Sequence, residues 1–436
     1  MVKNQVQSAA LILAIVLLGQ SSASIAHAAN SVGKTCTKIG KVSKTSAGVQ
    51  LTCDKSGKKL LWKKKSIVVA PVIPAVTDLS TTASLTPKNL FADAAKCKIT
   101  DATPQGISSL GFPRTLPSKN GKDSFKAIVI PVAFKDADYS SVDLEYLKEN
   151  IETVSKFYAS QSYGSTKIEF TVPDKDNWVY FDDQRSDHGL TVYVPQQTKE
   201  PFVRQVLDKT SSSLNIGTFD LVVIETGRWA GSGNGEGFAS RNFPTPSGSA
   251  KSVILEVGSS VGFWSVIAHE IGHALFGFED LYSFSAVRAS KYAFEATKGW
   301  DLMSNAGSSQ IELFGWERFL VSWIIDNQVS CLSSTGNYVI FLEPLSDFTG
   351  RNKLLMVPFE PGVILVAESR KNSTYDRDLN PGGTLVYLVD TRINHGSEPI
   401  TVLGFLEKGD SLIYKNVELT SIDSNSTGEL VSVKIS

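Results

Sequence analysis

The sequence predicts an α/β domain followed by an all-β domain, with a small disulfide-closed module ahead of both. Three observations carry this. Between Asn89 and residue 330, unbroken apolar runs suited to buried strands alternate with stretches whose apolar residues recur at helical spacing, the pattern of an α/β layer. Beyond Cys331 the helical spacing stops and short apolar runs are separated by turn residues, as in a β-sandwich. In front, Cys36 and Cys53 bracket a lysine-rich stretch with little apolar content, a unit that needs a covalent staple to fold.

The parts follow in chain order. Residues 1–29 carry Lys3, an apolar run from Ala9 to Leu18 and small residues before Asn30. That run is short for a bilayer span and reads as a secretory signal peptide cut after Ala28 or Ala29. No later segment reaches the roughly eighteen apolar residues of a membrane helix, so the mature chain is expected to be secreted, with no transmembrane segment. An oxidising compartment favours disulfides. Of the three connectivities open to four cysteines, Cys36–Cys53 within the first module and Cys97–Cys331 across the larger part are preferred. Between Lys34 and Lys65 the module, residues 30–65, holds ten lysines and one acid, Asp54, while the whole chain is at −1. A basic secreted module suits an anionic cell surface, although lysines also serve simply to solvate a small domain; no nucleic-acid partner is expected. Residues 66–88, rich in Pro, Thr and Ser, read as a linker.

The larger domain, residues 89–330, opens on the buried-strand run Lys126 to Phe134 and continues with a helix over Asp143 to Ser162. A strand in "TKIEFTV", a helix in "PFVRQVLDKTSSSL" and a buried strand from Phe219 to Thr226 come next. After a glycine-rich loop, "GRWAGSGNGEGFAS", the strand "SVILEVG" leads into an apolar helix and is expected to flank a cleft with a free edge. Residues 331–436 hold the runs "NYVIFLEPL", "NKLLMVPF", "VILVAES", "GTLVYLVD" and "LVSVKI", which read as strands.

The chemistry lies in "HEIGHALFGFEDLY", His269 to Tyr282. Residues four apart share one face of a helix, so His269 and His273 can point at one ion, with Glu270 placed to serve as general base for a water on that ion. A zinc with three protein ligands keeps a position for water and lowers its pKa to roughly 7, so the pattern predicts amide hydrolysis. The flank "VGFWSVIA" is almost wholly apolar, and buried histidines need partners. The third ligand is open at this stage. In H-E-x-x-H-x-x-G-x-x-H sites it follows the glycine by three residues, but here Gly277 comes four after His273. Counting from the histidine selects Glu279; counting from the glycine selects Asp280, which is preferred because the glycine is what turns the chain. Glu295, on a later predicted segment, is a further alternative, and His188 and His395 are the only other histidines beyond the signal peptide.

From Asn89 to Asp390 the chain resembles the immune inhibitor A family of secreted zinc metallopeptidases. The resemblance rests on "HEIGHALFGFEDLY", "GWDLMSNAG", "GWERFLVSWI", "FYASQSYGSTKIEF" and "ILVAESR…LNPGGTLVYLVD". It implies a zincin-like, metzincin-like catalytic domain in which His269, His273 and Asp280 bind zinc, Glu270 is the base and Met303 forms a turn beneath the metal. Tyr282 is a candidate donor to the oxyanion. The expected function is that of a secreted zinc metalloendopeptidase acting on protein or peptide substrates. The alternatives are a surface- or polymer-binding protein on a degenerate peptidase fold, or a zinc hydrolase of non-peptide amides. Calcium is a second candidate ion at "FDDQRSD" or "KDADYSSVD", where solvated turns explain the acids equally well.

Overall fold

The computed structural model describes residues 34–38, 41–44, 50–56, 59–64, 91–101, 108–114, 124–138, 141–190, 196–226, 239–256, 263–349 and 351–436. The predicted signal peptide (1–29) and linker (66–88) lie outside the described residues, as does the glycine-rich loop up to residue 238. The chain forms two compact units, Met1–Thr81 and Thr82–Ser436. Among the described residues no helix is long and apolar enough to cross a membrane.

The first unit is a three-stranded antiparallel sheet of β1 (Val42–Lys44), β2 (Gln50–Ser56) and β3 (Lys59–Lys64). Its apolar content is small: Leu51, Cys53 and Trp62 are buried, and the Cys36–Cys53 disulfide supplies the expected staple. Lys34, Lys38, Lys41, Lys55, Lys59 and Lys63 are all exposed.

The second unit opens with a mixed sheet. β4 (Ser124–Phe134) pairs in parallel with β5 (Lys167–Thr171) and, further along the same side, with β6 (Val179–Phe181). On its other side lies parallel β7 (Leu221–Thr226), then parallel β9 (Gly248–Glu256), then antiparallel β8 (Ala239–Thr245) at the edge. Period-two alternation sorts the side chains. Ala127, Val129, Leu221 and Val223 face one core with helix α1 (Ser141–Gln161), while Ile128, Ile130, Val222 and Ile224 face another with α2 (Gln196–Ser211). Burial on both faces is why these strands read as continuous apolar runs. One expectation is corrected here. Within "SVILEVG", Val253 and Ile254 are paired on both sides, with β7 and with β8, while Leu255 and Glu256 pair with β7; among the described residues the edge strand of the sheet is β8, hidden in the sequence behind the glycine-rich stretch.

Three shorter helices follow, α3 (Trp264–Ile271), α4 (Phe284–Arg288) and α5 (Gly315–Leu320). The C-terminal strands then build two sheets. One joins β10 (Val329–Cys331), β12 (Leu354–Glu360), β13 (Val363–Arg370), β14 (Gly383–Asp390) and β15 (Ile400–Leu406). The other orders β11 (Gly336–Leu342), β18 (Gly428–Ile435), β17 (Val417–Asn425) and β16 (Ser411–Tyr414). Leu355, Leu365 and Val386 of the first sheet pack with Leu342, Leu419 and Val431 of the second. The first sheet's opposite face, with Leu354, Ile364 and Tyr387, joins the same core as α1 and α3. Residues 89–330 and 331–436, expected as separate domains, therefore share a core within one unit. Cys97–Cys331 links them covalently, as the sequence favoured.

Candidate metal centre

α3 buries Ile267, Ala268 and Ile271 in the core shared with α1, which fixes the roll of the helix that carries His269 and Glu270. Tyr158 of α1 donates its hydroxyl hydrogen to the Ala268 carbonyl at 2.5 Å. The helix does not stop at Ile271. It continues as a single π turn, Gly272–Phe276, in which the Gly277 N–H reaches the Gly272 and His273 carbonyls. A π turn holds more residues than an α turn, so the residue inserted between His273 and Gly277 is absorbed inside the helix. Gly277, at φ 61°, then reverses the chain in the left-handed conformation that glycine adopts without strain. Arg114 donates to the Phe276 carbonyl and, at 3.0 Å, to that of Gly277, satisfying acceptors at the helix end.

The reversal brings Asp280 back to the histidines. Its Oδ1 lies 2.9 Å from His269 Nε2 and 3.2 Å from His273 Nε2, and the two Nε2 atoms are 3.1 Å apart. The opposite ring nitrogens are occupied: His269 Nδ1 is 3.0 Å from the Leu302 carbonyl, and His273 Nδ1 is 2.7 Å from that of Phe278. Each Nδ1 must donate there, which leaves the Nε2 lone pairs facing one another and a carboxylate oxygen. Three electron-rich atoms so placed need a cation between them, either a proton or a metal. A tetrahedral zinc would hold such ligands roughly 3.3 Å apart, close to the spacings found, and carbonyl partners on Nδ1 are the outer support that metal-binding histidines use. The residues present therefore fit the metal.

The other candidates are placed as follows. Glu279 is buried but stands outside this group, and burial pushes its carboxyl up to about 7. Glu295 is exposed and not part of it, so the later-glutamate alternative is set aside. His188 pairs with Asp183 at 2.8 Å and packs on Phe181. His395 comes from the loop after β14 and touches Asp280 twice: its Nδ1 accepts the Asp280 N–H at 3.1 Å, and its Nε2 is 3.2 Å from Oδ2. Accepting at Nδ1 forces the proton onto Nε2, which donates to Oδ2 and leaves Oδ1 for the ion. Met303 is fully buried beneath the helix, so close that a Cβ added at Gly272 would meet its Sδ at 2.6 Å. The Tyr282 ring stands 6.3 Å from that of His269. Among the described residues, His269, His273 and Asp280 are the only group of three metal-capable side chains. Three of the six acids considered for calcium have other partners, Asp183 on His188, Asp187 on the Gln184 N–H and Asp136 on the Arg185 N–H.

Electrostatics follow from burial and pairing. Burial works to raise the Asp280 carboxyl, yet the His273 charge and the hydrogen bonds from His269, His273 and His395 hold it well below the usual carboxylate range. Burial pulls His273 down, but Asp280 outweighs it and lifts the metal-free imidazole to about 9; His269 is raised in the same way. Glu270 is raised, chiefly by burial, against the lowering influence of both histidines. A further group near Glu270 was not foreseen. Glu225 and Glu256, at the ends of β7 and β9, and Arg185 and Lys199 are all fully or nearly fully buried. Burial pushes Glu256 up to about 7, against the lowering influence of the nearby Arg185 charge. The signal was an acid closing each of two otherwise apolar strands, "LVVIET" and "VILEVG".

Compared with known proteins, no protein-family model matches this chain, and no curated protein matches it.

Proposed function

We propose that this chain is a secreted zinc-dependent endopeptidase with a zincin-like catalytic layer, as its resemblance to the immune inhibitor A family suggests. The observation that carries the reading is the convergence of His269 Nε2, His273 Nε2 and Asp280 Oδ1 at 2.9 to 3.2 Å, with buried Glu270 on the same helix. Those three atoms would hold the zinc. Bound there, the ion supplies Lewis-acid polarisation of the scissile carbonyl and lowers the pKa of a water.

The chain's own residues do the rest. Glu270, its basicity raised by burial, accepts a proton from the attacking water and returns it to the leaving amine nitrogen. Tyr282 is the candidate donor to the developing oxyanion. β8, at the edge of its sheet among the described residues and packed against the π turn, offers main-chain groups to an extended peptide. The lysine-rich first unit is the candidate contact to an anionic surface.

The test is zinc stoichiometry after dialysis together with cleavage of a denatured protein substrate. About one zinc per chain and cleavage that stops on chelation and returns with zinc are expected. A folded protein that binds no zinc and cleaves nothing would overturn the reading in favour of surface binding; zinc without protein cleavage would favour a non-peptide amide.

A further inference from the structure

The π turn that absorbs the inserted residue ends on carbonyls that the helix itself cannot satisfy. Phe276 and Gly277 are both buried, and the last carbonyls of a helix have no intrahelical donor. A buried carbonyl left without a partner is costly. Here the donors come from the segment ahead of β4. Arg114 Nη2 donates to the Phe276 carbonyl and, at 3.0 Å, to the Gly277 carbonyl, while its Nη1 donates to the Ser109 carbonyl. The Ser109 N–H also reaches the Gly277 carbonyl, at 3.3 Å. This segment is itself tied down. Asp101 Oδ2 takes the Ser109 hydroxyl at 2.6 Å and the Leu110 N–H at 3.1 Å, and the Leu110 carbonyl takes the Trp316 indole N–H at 2.8 Å. One guanidinium on an anchored base therefore spans three carbonyls of two separate stretches of chain.

The carbonyls it holds are the ones that decide where the ligands point. Peptide units are planar, so fixing the Phe276 and Gly277 carbonyls fixes the planes on either side of the Gly277 Cα, where the chain reverses at φ 61°. The next carbonyl along, that of Phe278, is the one 2.7 Å from His273 Nδ1. Asp280 follows two residues later, with its Oδ1 at 2.9 and 3.2 Å from the two histidine Nε2 atoms. The guanidinium thus acts through backbone on which both the second and the third ligand depend.

We propose that Arg114 is a positioning residue for the metal centre: by holding the Phe276 and Gly277 carbonyls it fixes the reversal that aims His273 and brings Asp280 to the ion. This rests on the zinc-site reading above. A planar fork of donors can serve three carbonyls at once, whereas an ammonium is a point charge.

The full chain and its Arg114→Lys and Arg114→Ala variants would be compared for zinc affinity by chelator competition, and as zinc-free proteins for Tm and far-UV circular dichroism. The Ala variant would also be titrated with methylguanidinium and, as a control, methylammonium. Arg114→Ala is expected to lose roughly 10- to 100-fold in zinc affinity, the usual loss when the support behind a metal ligand is removed. Arg114→Lys falls between Ala and wild type, and methylguanidinium restores part of the Ala loss where methylammonium does not. A residue that only tied the fold together would lower Tm and leave the zinc affinity of the folded protein unchanged.

A folded Arg114→Ala that binds zinc within about threefold of wild type overturns the proposal. So does a Lys variant as tight as wild type, or an Ala loss on which the two cations act alike. If Ala fails to fold, the Lys variant decides, with a loss of at least about threefold expected. A wild type that binds no zinc overturns both this proposal and the zinc site; zinc bound equally by all three proteins overturns this proposal alone.

Discussion

Zinc binding to this site should be strongly proton-linked, in an amount set by the geometry. In the metal-free protein Asp280 lifts His273 to about 9 and raises His269 above its ordinary value of 6.5. His273 therefore carries a proton throughout pH 6 to 8, and an ion at its Nε2 must displace it, lowering affinity about tenfold per pH unit. Asp280, held well below the carboxylate range, is ionised across this window and contributes no proton. Lowering the pH from 8 to 6 should weaken zinc binding at least about 100-fold, or about 2.7 kcal/mol at 1.36 kcal/mol per pH unit. His269 adds a second proton toward the acid end and steepens the slope. The assay is competition with a chelator of known proton affinity at constant ionic strength. An affinity that changes less than about threefold across the window would refute the histidines as ligands. Asp280→Asn provides the control: it removes the charge that holds the protons, so binding should be weaker and its pH slope shallower.

Two further outcomes follow from the geometry. His395→Ala removes the donor to Asp280 Oδ2 and the acceptor of its N–H, and zinc affinity should fall about 10- to 100-fold with no change in far-UV circular dichroism; His395→Ala binding as tightly as wild type would show that Asp280 needs no such support. Gly272→Ala places a Cβ 2.6 Å from Met303 Sδ and should cost about 1–3 kcal/mol in thermal unfolding. Adding Met303→Ala should recover part of that loss, and a purely additive pair would mean the two do not press on each other.

What was legible in the sequence is what depends on local spacing. His269, Glu270 and His273 lie within one helical stretch, and the i, i+4 relation survives because the first histidine is in α3 and the second in the π turn that continues it. Counting from Gly277 to Asp280 agrees with the geometry because the positive φ of that glycine is where the chain reverses. The π turn itself was not legible, since a shift from i→i+4 to i→i+5 bonding leaves no mark on apolar spacing. Strand order was misjudged where β8 begins at the end of a glycine-rich stretch with little apolar signal, so the edge was assigned to its neighbour. His395 lies 115 residues from Asp280. Contacts that distant depend on how the C-terminal sheet packs on the rest of the core, which pattern does not encode.

The most direct measurement is zinc content and cleavage of a denatured protein by wild type and Glu270→Gln, purified side by side. The account predicts about one zinc in each and cleavage by the wild type alone, because Glu270 moves the proton while His269, His273 and Asp280 hold the ion. Cleavage by Glu270→Gln at the wild-type rate, or loss of zinc from it, would contradict that division of roles.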